Sequence, residues 1–127
     1  MVSGADAPHL PQPVPIEAYG NGGFRFAGMS HRGSLLCLPN GIWAWPVSDA
    51  RDITTSSLEM VFARSADIHV FLIGAGRDPW RIPDRLRQRF RDAGISVDAM
   101  TTGAAAQTYN ILLEEGRRVG AALIAVK

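Results

Sequence analysis

The chain has 127 residues, 46% of them hydrophobic and 20% charged, which fits one globular domain large enough to bury a core. A net charge of +1 makes no overall electrostatic case for nucleic acid or a membrane surface. A single cysteine, Cys37, excludes an intramolecular disulfide and suits a reducing compartment, so a cytoplasmic location is expected.

No apolar run reaches the roughly 18 residues that a membrane span needs. The N-terminus lacks a basic start followed by an apolar stretch, so neither insertion nor a secretory leader is expected. Residues 1–13 carry Pro8, Pro11 and Pro13 and read as a flexible Pro-rich tail, followed by a single α/β domain over 14–127.

Val14 to Tyr19 reads as extended, "GNGG" at 20–23 as a turn, and Phe24-Arg25-Phe26 as a half-buried strand. "SLLCLP" at 34–39 is an apolar run, and Asn40-Gly41 marks a tight hairpin. In "IWAWPV", Trp43, Trp45 and Val47 share one face, with Ile42, Ala44 and Pro46 on the other. These pieces predict an antiparallel meander of three or four strands.

The period then changes. Thr54, Thr55 or Ser56 can cap a helix with Leu58, Val61 and Phe62 on its apolar side. "IHVFLIG" at 68–74 is almost wholly apolar, as in a strand covered on both faces. A helix over 83–93 has Pro83 in its first turn, Gly94 just past its end, and an Ile82, Leu86, Phe90, Ala93 stripe. "ISVDAM" at 95–100 is the next strand. A helix over 103–117 follows, with Ala105, Tyr109, Leu112, Leu113 and Gly116 on one face, and then "GAALIAV" at 120–126 as a last buried strand. The expected fold is α/β: a mixed sheet with an N-terminal antiparallel meander, a C-terminal β-α-β-α-β part and about three helices.

With "YGNGGFRFAG", "GSLLCLPNGIWAW", "DIHVFLIGAGRD" and "GISVDAMTTGAAAQTYNILLEEGRRVGAALI" in this order, the chain resembles a family of small, largely uncharacterised α/β domain proteins. That family includes the mitochondrial respiratory complex I assembly factor 3 proteins and bacterial single-domain relatives. The resemblance covers about residues 15–127. It implies a three-layer fold with a mixed sheet, no established enzymatic activity, and action through contact with other proteins. Gln107 departs from the arginine that the resemblance implies for bacterial members, which puts a ligand role there in doubt.

Two glycines, Gly74 and Gly76, end the strand at 68–74 and lead into Arg77. The third glycine of a dinucleotide fingerprint is missing, and no helix opens at Gly76, so a tight strand exit competes with ligand binding. "MTTGAAA" at 100–106 also leaves a strand. If both strands are parallel, the two loops share the carboxyl edge favoured by ligands in α/β sheets. Gly74, Gly76, Arg77, Thr101, Thr102 and Gly103 would then line a crevice for a small anion, with a threonine capping the helix. Alternatively, the threonine caps the helix and nothing binds.

Asn110, Glu114 and Arg117 share a helical face, either to position a substrate or as a solvated row of charges. Residues 77–91 hold six arginines and two aspartates, a local charge of +4 spread around the solvent side of a helix. A concentrated face with stacking aromatics is missing, so nucleic acid is not expected. Arg85 and Arg89 remain candidates for a protein partner, as do Trp43 and Trp45, whose other reading is core under a helix. Cys37 reads as a small buried hydrophobe and Tyr109 as core with a bonded hydroxyl. His9, His31 and His69 lack ligand spacing, and no nucleophile elbow or phosphate loop is present, so no metal, cofactor or catalytic residue is assigned. A protein partner is expected, and a non-enzymatic, assembly-factor-like role is the leading reading.

Overall fold

A computed structural model describes residues 8–127. Five strands form a mixed sheet in the spatial order β5-β4-β8-β6-β7. Here β4 (Ser34–Leu38) and β5 (Gly41–Trp45) make the antiparallel hairpin, and β4 also pairs antiparallel with β8 (Val119–Leu123). β6 (Val70–Gly74) lies parallel between β7 (Ser96–Met100) and β8. The remaining strands, β1 (Ile16–Gly20), β2 (Gly23–Phe26) and β3 (Met29–Arg32), form a separate antiparallel sheet.

Alternation along the central strands sends side chains into two cores. Leu36, Trp43, Trp45, Phe71 and Ile73 point to one face, where α1 (Glu59–Ala63) and α2 (Asp84–Asp92) deliver Val61, Phe62, Leu86 and Phe90. Leu35, Cys37, Ile42, Leu72 and Leu123 point to the other, where α3 (Thr102–Glu114) delivers Ala105, Ala106 and Tyr109 and the small sheet delivers Ile16, Phe24 and Phe26. Burying both faces accounts for the near-continuous apolar runs of β4, β6 and β8.

The mixed sheet, the β-α-β-α-β segment and the three helices agree with expectation. The meander, however, is divided between two sheets, and β3 is a strand that pattern reading left out. Its sequence, "MSHR", is largely exposed and carries no apolar alternation. The turn before it, Ala27-Gly28, has both residues at positive φ (49° and 72°), as a two-residue hairpin requires, but alanine there hides the usual Asn-Gly signal. α3 also stops earlier than the expected 117. Gly116, at φ 76°, donates to Leu113, and Arg117 donates to Leu112, a left-handed cap that closes the helix.

The expected N-terminal tail lies outside the described residues over 1–7. Further along it, the His9 amide donates to the Ile42 carbonyl at 2.8 Å, and the Ile42 amide to the Leu10 carbonyl at 2.9 Å, so this piece covers the β5 edge. Among the described residues no helix is long and apolar enough to cross a membrane.

Candidate functional site

β6 ends opposite the ends of both parallel neighbours, with Gly74 level with Met100 and with Leu123. The loops at 74–77 and 101–103 therefore leave the same edge of the sheet. Thr102 locks them together. Its hydroxyl donates to the Ile124 carbonyl at 2.7 Å and accepts from the Gly76 amide at 3.0 Å, while its own amide donates to the Gly76 carbonyl at 2.9 Å. Thr101 is the cap of α3, its hydroxyl accepting from the Ala104 amide at 3.4 Å.

The glycines of this edge have structural duties. A Cβ on Gly74 would lie 2.9 Å from the Cα of Thr102, so glycine lets α3 pack directly on β6. Gly76 turns the chain at φ 98°. The Arg77 side chain is exposed, and its guanidinium donates to the Lys127 carbonyl. Most polar groups at this edge are thus satisfied within the chain, as a strand exit requires.

A crevice of about 290 Å³ remains, lined by Gly76, Arg77, Thr101, Gly103 and Ala104, with Tyr19 and Val126. Tyr19 was read only as the end of an extended segment, yet it is a hub of this surface. It is 52% exposed, and its phenolic oxygen lies over Gly103, where a Cβ would overlap it. Tyr19 also lines a groove of about 630 Å³ between β1 and α3, with Gln107 and Asn110, and one of about 460 Å³ along β1–β3. Tyr19 borders all three, its side chain on the α3 side of the small sheet, level with Phe24. The hub depends on residues far apart in the chain, so no local signal marks it.

The polar row on α3 separates in the structure. Asn110 clamps β1 to α3: its Oδ1 accepts from the Ile16 amide and its Nδ2 donates to the Ile16 carbonyl, both at 2.8 Å. Glu114 is exposed at the helix end, and Arg117 lies beyond the helix, 3.9 Å from Glu115. The helical face expected from Asn110, Glu114 and Arg117 is therefore broken by the cap at Gly116.

Trp43 and Trp45 are 5% and 4% exposed, which corrects their candidacy as partner anchors. The segment carrying Ile53, Leu58, Val61 and Phe62 covers their face of β5, and the Trp45 indole donates to the Ser57 carbonyl at 2.8 Å. Arg89 packs its guanidinium on the Phe62 ring, 4.3 Å from the centroid, while Arg85 is exposed. Burial pushes the Cys37 thiol up to about 12, so it carries no thiolate at neutral pH. Burial likewise raises the Tyr109 phenol, whose hydroxyl has the Cys37 thiol as its polar neighbour and no other hydrogen-bond partner among the described residues. No group of three histidine, cysteine or acidic side chains gathers as a metal site among those residues.

A solved structure described as an outer membrane protein from Bartonella henselae superposes with a TM-score of 0.90 at 47% identity, covering 94% of this chain and all of that one. An uncharacterized protein of Rhodobacter capsulatus is 38% identical over 111 residues, 87% of this chain and 84% of its own length. NADH dehydrogenase (ubiquinone) 1 alpha subcomplex assembly factor 3 of Mus musculus is 34% identical over 115 residues, 91% of this chain. The match spans only 62% of the mouse protein. The family described as protein of unknown function DUF498/DUF598 matches residues 16–124, and the chain belongs to that family.

Proposed function

We propose that the chain is a non-enzymatic contact module of the assembly-factor kind, and that its contact surface lies around Tyr19. The observation that carries this reading is the half-exposed tyrosine itself. It is an aromatic held in place over α3 at the border of three depressions. Aromatic side chains seated in concave surfaces are the usual anchors of protein contacts. The mouse relative is named as an assembly factor of NADH dehydrogenase, which supports assembly of respiratory complex I as the process. We place this work in the cytoplasm, at the membrane where such a complex is built.

The test is a gene deletion in the source organism. Assembled complex I is measured on native gels after rescue with wild type, Tyr19→Ala or Arg85→Ala. Wild type and Arg85→Ala restore the complex and Tyr19→Ala does not. Fractionation of the same cells checks the location, and recovery of the chain from the outer membrane would refute the cytoplasmic placement. Normal complex I in the deletion strain would refute the process.

A second reading, a small anion held in the crevice between the 74–77 and 101–105 loops, draws on Arg77 beside the start of α3. It predicts a thermal shift with small anionic metabolites that Arg77→Ala abolishes. The internal bonds of Thr102 and Gly76 make it the weaker of the two.

A further inference from the structure

The partner's chemistry can be read from the outer face of the small sheet. Cross-strand register sets Ala18, Arg25 and Ser30 side by side, and likewise Gly20, Gly23 and Arg32. Residues directly opposite one another in antiparallel strands project to the same face. Besides its two arginines this face carries only small residues: Ala18 and Ser30 are exposed and Gly20 is open, while Gly23 is buried under the His31 carbonyl. The rim carries the two exposed guanidinium groups. The groove of about 460 Å³ that contains them has no carboxylate in its lining. Among the described residues neither Arg25 nor Arg32 enters a salt bridge. Arg25 donates only to the Ser30 hydroxyl, at 3.1 Å. The nearby acid, Glu17, is engaged with the Gly28 amide at 2.9 Å.

α2 also carries exposed arginines outside any salt bridge among the described residues, Arg85 and Arg87, but they stand on a convex helix that has Asp84 and Asp92 at its two ends, with Gln88 bridging Arg91 and Asp92 at 3.0 and 2.8 Å. The groove on β1–β3 carries two arginines and no carboxylate, is concave, and has the size of a ligand cleft (roughly 300–1,000 Å³) rather than of a single small ion.

We infer that this groove receives an acidic, extended segment of a partner protein, its carboxylates meeting Arg25 and Arg32. The inference rests on the contact-module reading above. A protein segment is favoured over nucleic acid because the face that carries Arg25 and Arg32 otherwise presents Ala18, Gly20, Gly23 and Ser30 and no aromatic side chain, where single strands need successive stacking platforms.

Fluorescence anisotropy of a labelled glutamate octapeptide at low salt tests it. Wild type is compared with Arg25→Gln/Arg32→Gln and with Arg85→Gln/Arg87→Gln, each confirmed to be folded by its thermal transition. Loss of the groove pair should weaken the peptide about tenfold, while the α2 pair leaves it within about twofold. Absence of peptide binding by wild type, or equal loss in both variants, would overturn the inference. So would tighter binding of a labelled uridine octanucleotide that is lost with Arg25→Gln/Arg32→Gln, which would assign the groove to nucleic acid. If the peptide fails while Tyr19→Ala still blocks rescue of complex I, the contact module stands and only the acidic partner falls. If the peptide binds while the deletion strain assembles complex I normally, the process is wrong and the groove remains.

Discussion

The phenolic oxygen of Tyr19 rests over Gly103, so the last side chain before the first hairpin turn is held against the start of α3. This contact depends on the missing Cβ. Gly103→Ala adds a methyl group where the phenol lies, while alanine favours the helix by about 1 kcal/mol over glycine. Tyr19 is exposed enough to swing away. The variant should keep or slightly raise its thermal midpoint and lose the magnetic contacts between the Tyr19 ring and residue 103. An unchanged set of contacts would contradict this placement of the tyrosine.

Thr102→Val tests the lock between the two loops. Valine matches the shape but removes the hydroxyl that serves both the Ile124 carbonyl and the Gly76 amide. Thr102 is fully buried, so both groups would be left unpaired in the interior. The expected loss is about 2–4 kcal/mol, read from denaturant unfolding. A loss below about 0.5 kcal/mol would mean that water or a rearranged loop replaces the hydroxyl.

Tyr109→Phe should behave in the opposite way. The hydroxyl is buried with only the weakly bonding Cys37 thiol as a polar neighbour among the described residues. Removing it relieves a desolvated polar atom, so stability should stay level or rise by up to about 1 kcal/mol. Tyr109→Ala, by contrast, should cost about 3–5 kcal/mol through the cavity it leaves. A clear loss in the phenylalanine variant would reveal a partner for the hydroxyl.

His31 makes a stability term that depends on pH. Partial burial holds its pKa below 6.5, reinforced by His9 and opposed by the Ser34 carbonyl that its Nε2 meets at 3.2 Å. The unfolded chain then takes up the proton before the folded one does. Stability from this residue is complete above the unfolded pKa, falls as pH drops through it, and levels off once the folded ring is protonated. His31→Gln should therefore flatten the fall in thermal midpoint between about pH 7.5 and 5. An identical slope in the variant would place the pH response elsewhere.

Much of the C-terminal half is legible because its signals are local. The stripe of α2 and the cap at Gly94 lie within about a dozen residues, and the structure places both as read. The runs of β6 and β8 are apolar because α1 and α2 cover one face and α3 with the small sheet covers the other. β3 has no apolar face of its own and is defined by pairing with β2. Arg117 fits a helical period but lies past a left-handed cap.

By itself the sequence determined the order of elements from β4 onward, the two-sided burial of the central strands, and the position of both strand exits at 74–77 and 101–103. Periodicity, caps and turn residues act over a few consecutive positions, and these features need no more than that. Only the tertiary structure decided that Trp43 and Trp45 are core, that Asn110 is a clamp on β1, and that Tyr19 borders three depressions of the surface. Each of these depends on which distant segment lands on a given face. The free energy that selects it is the packing of two whole cores, spread over residues from every part of the chain.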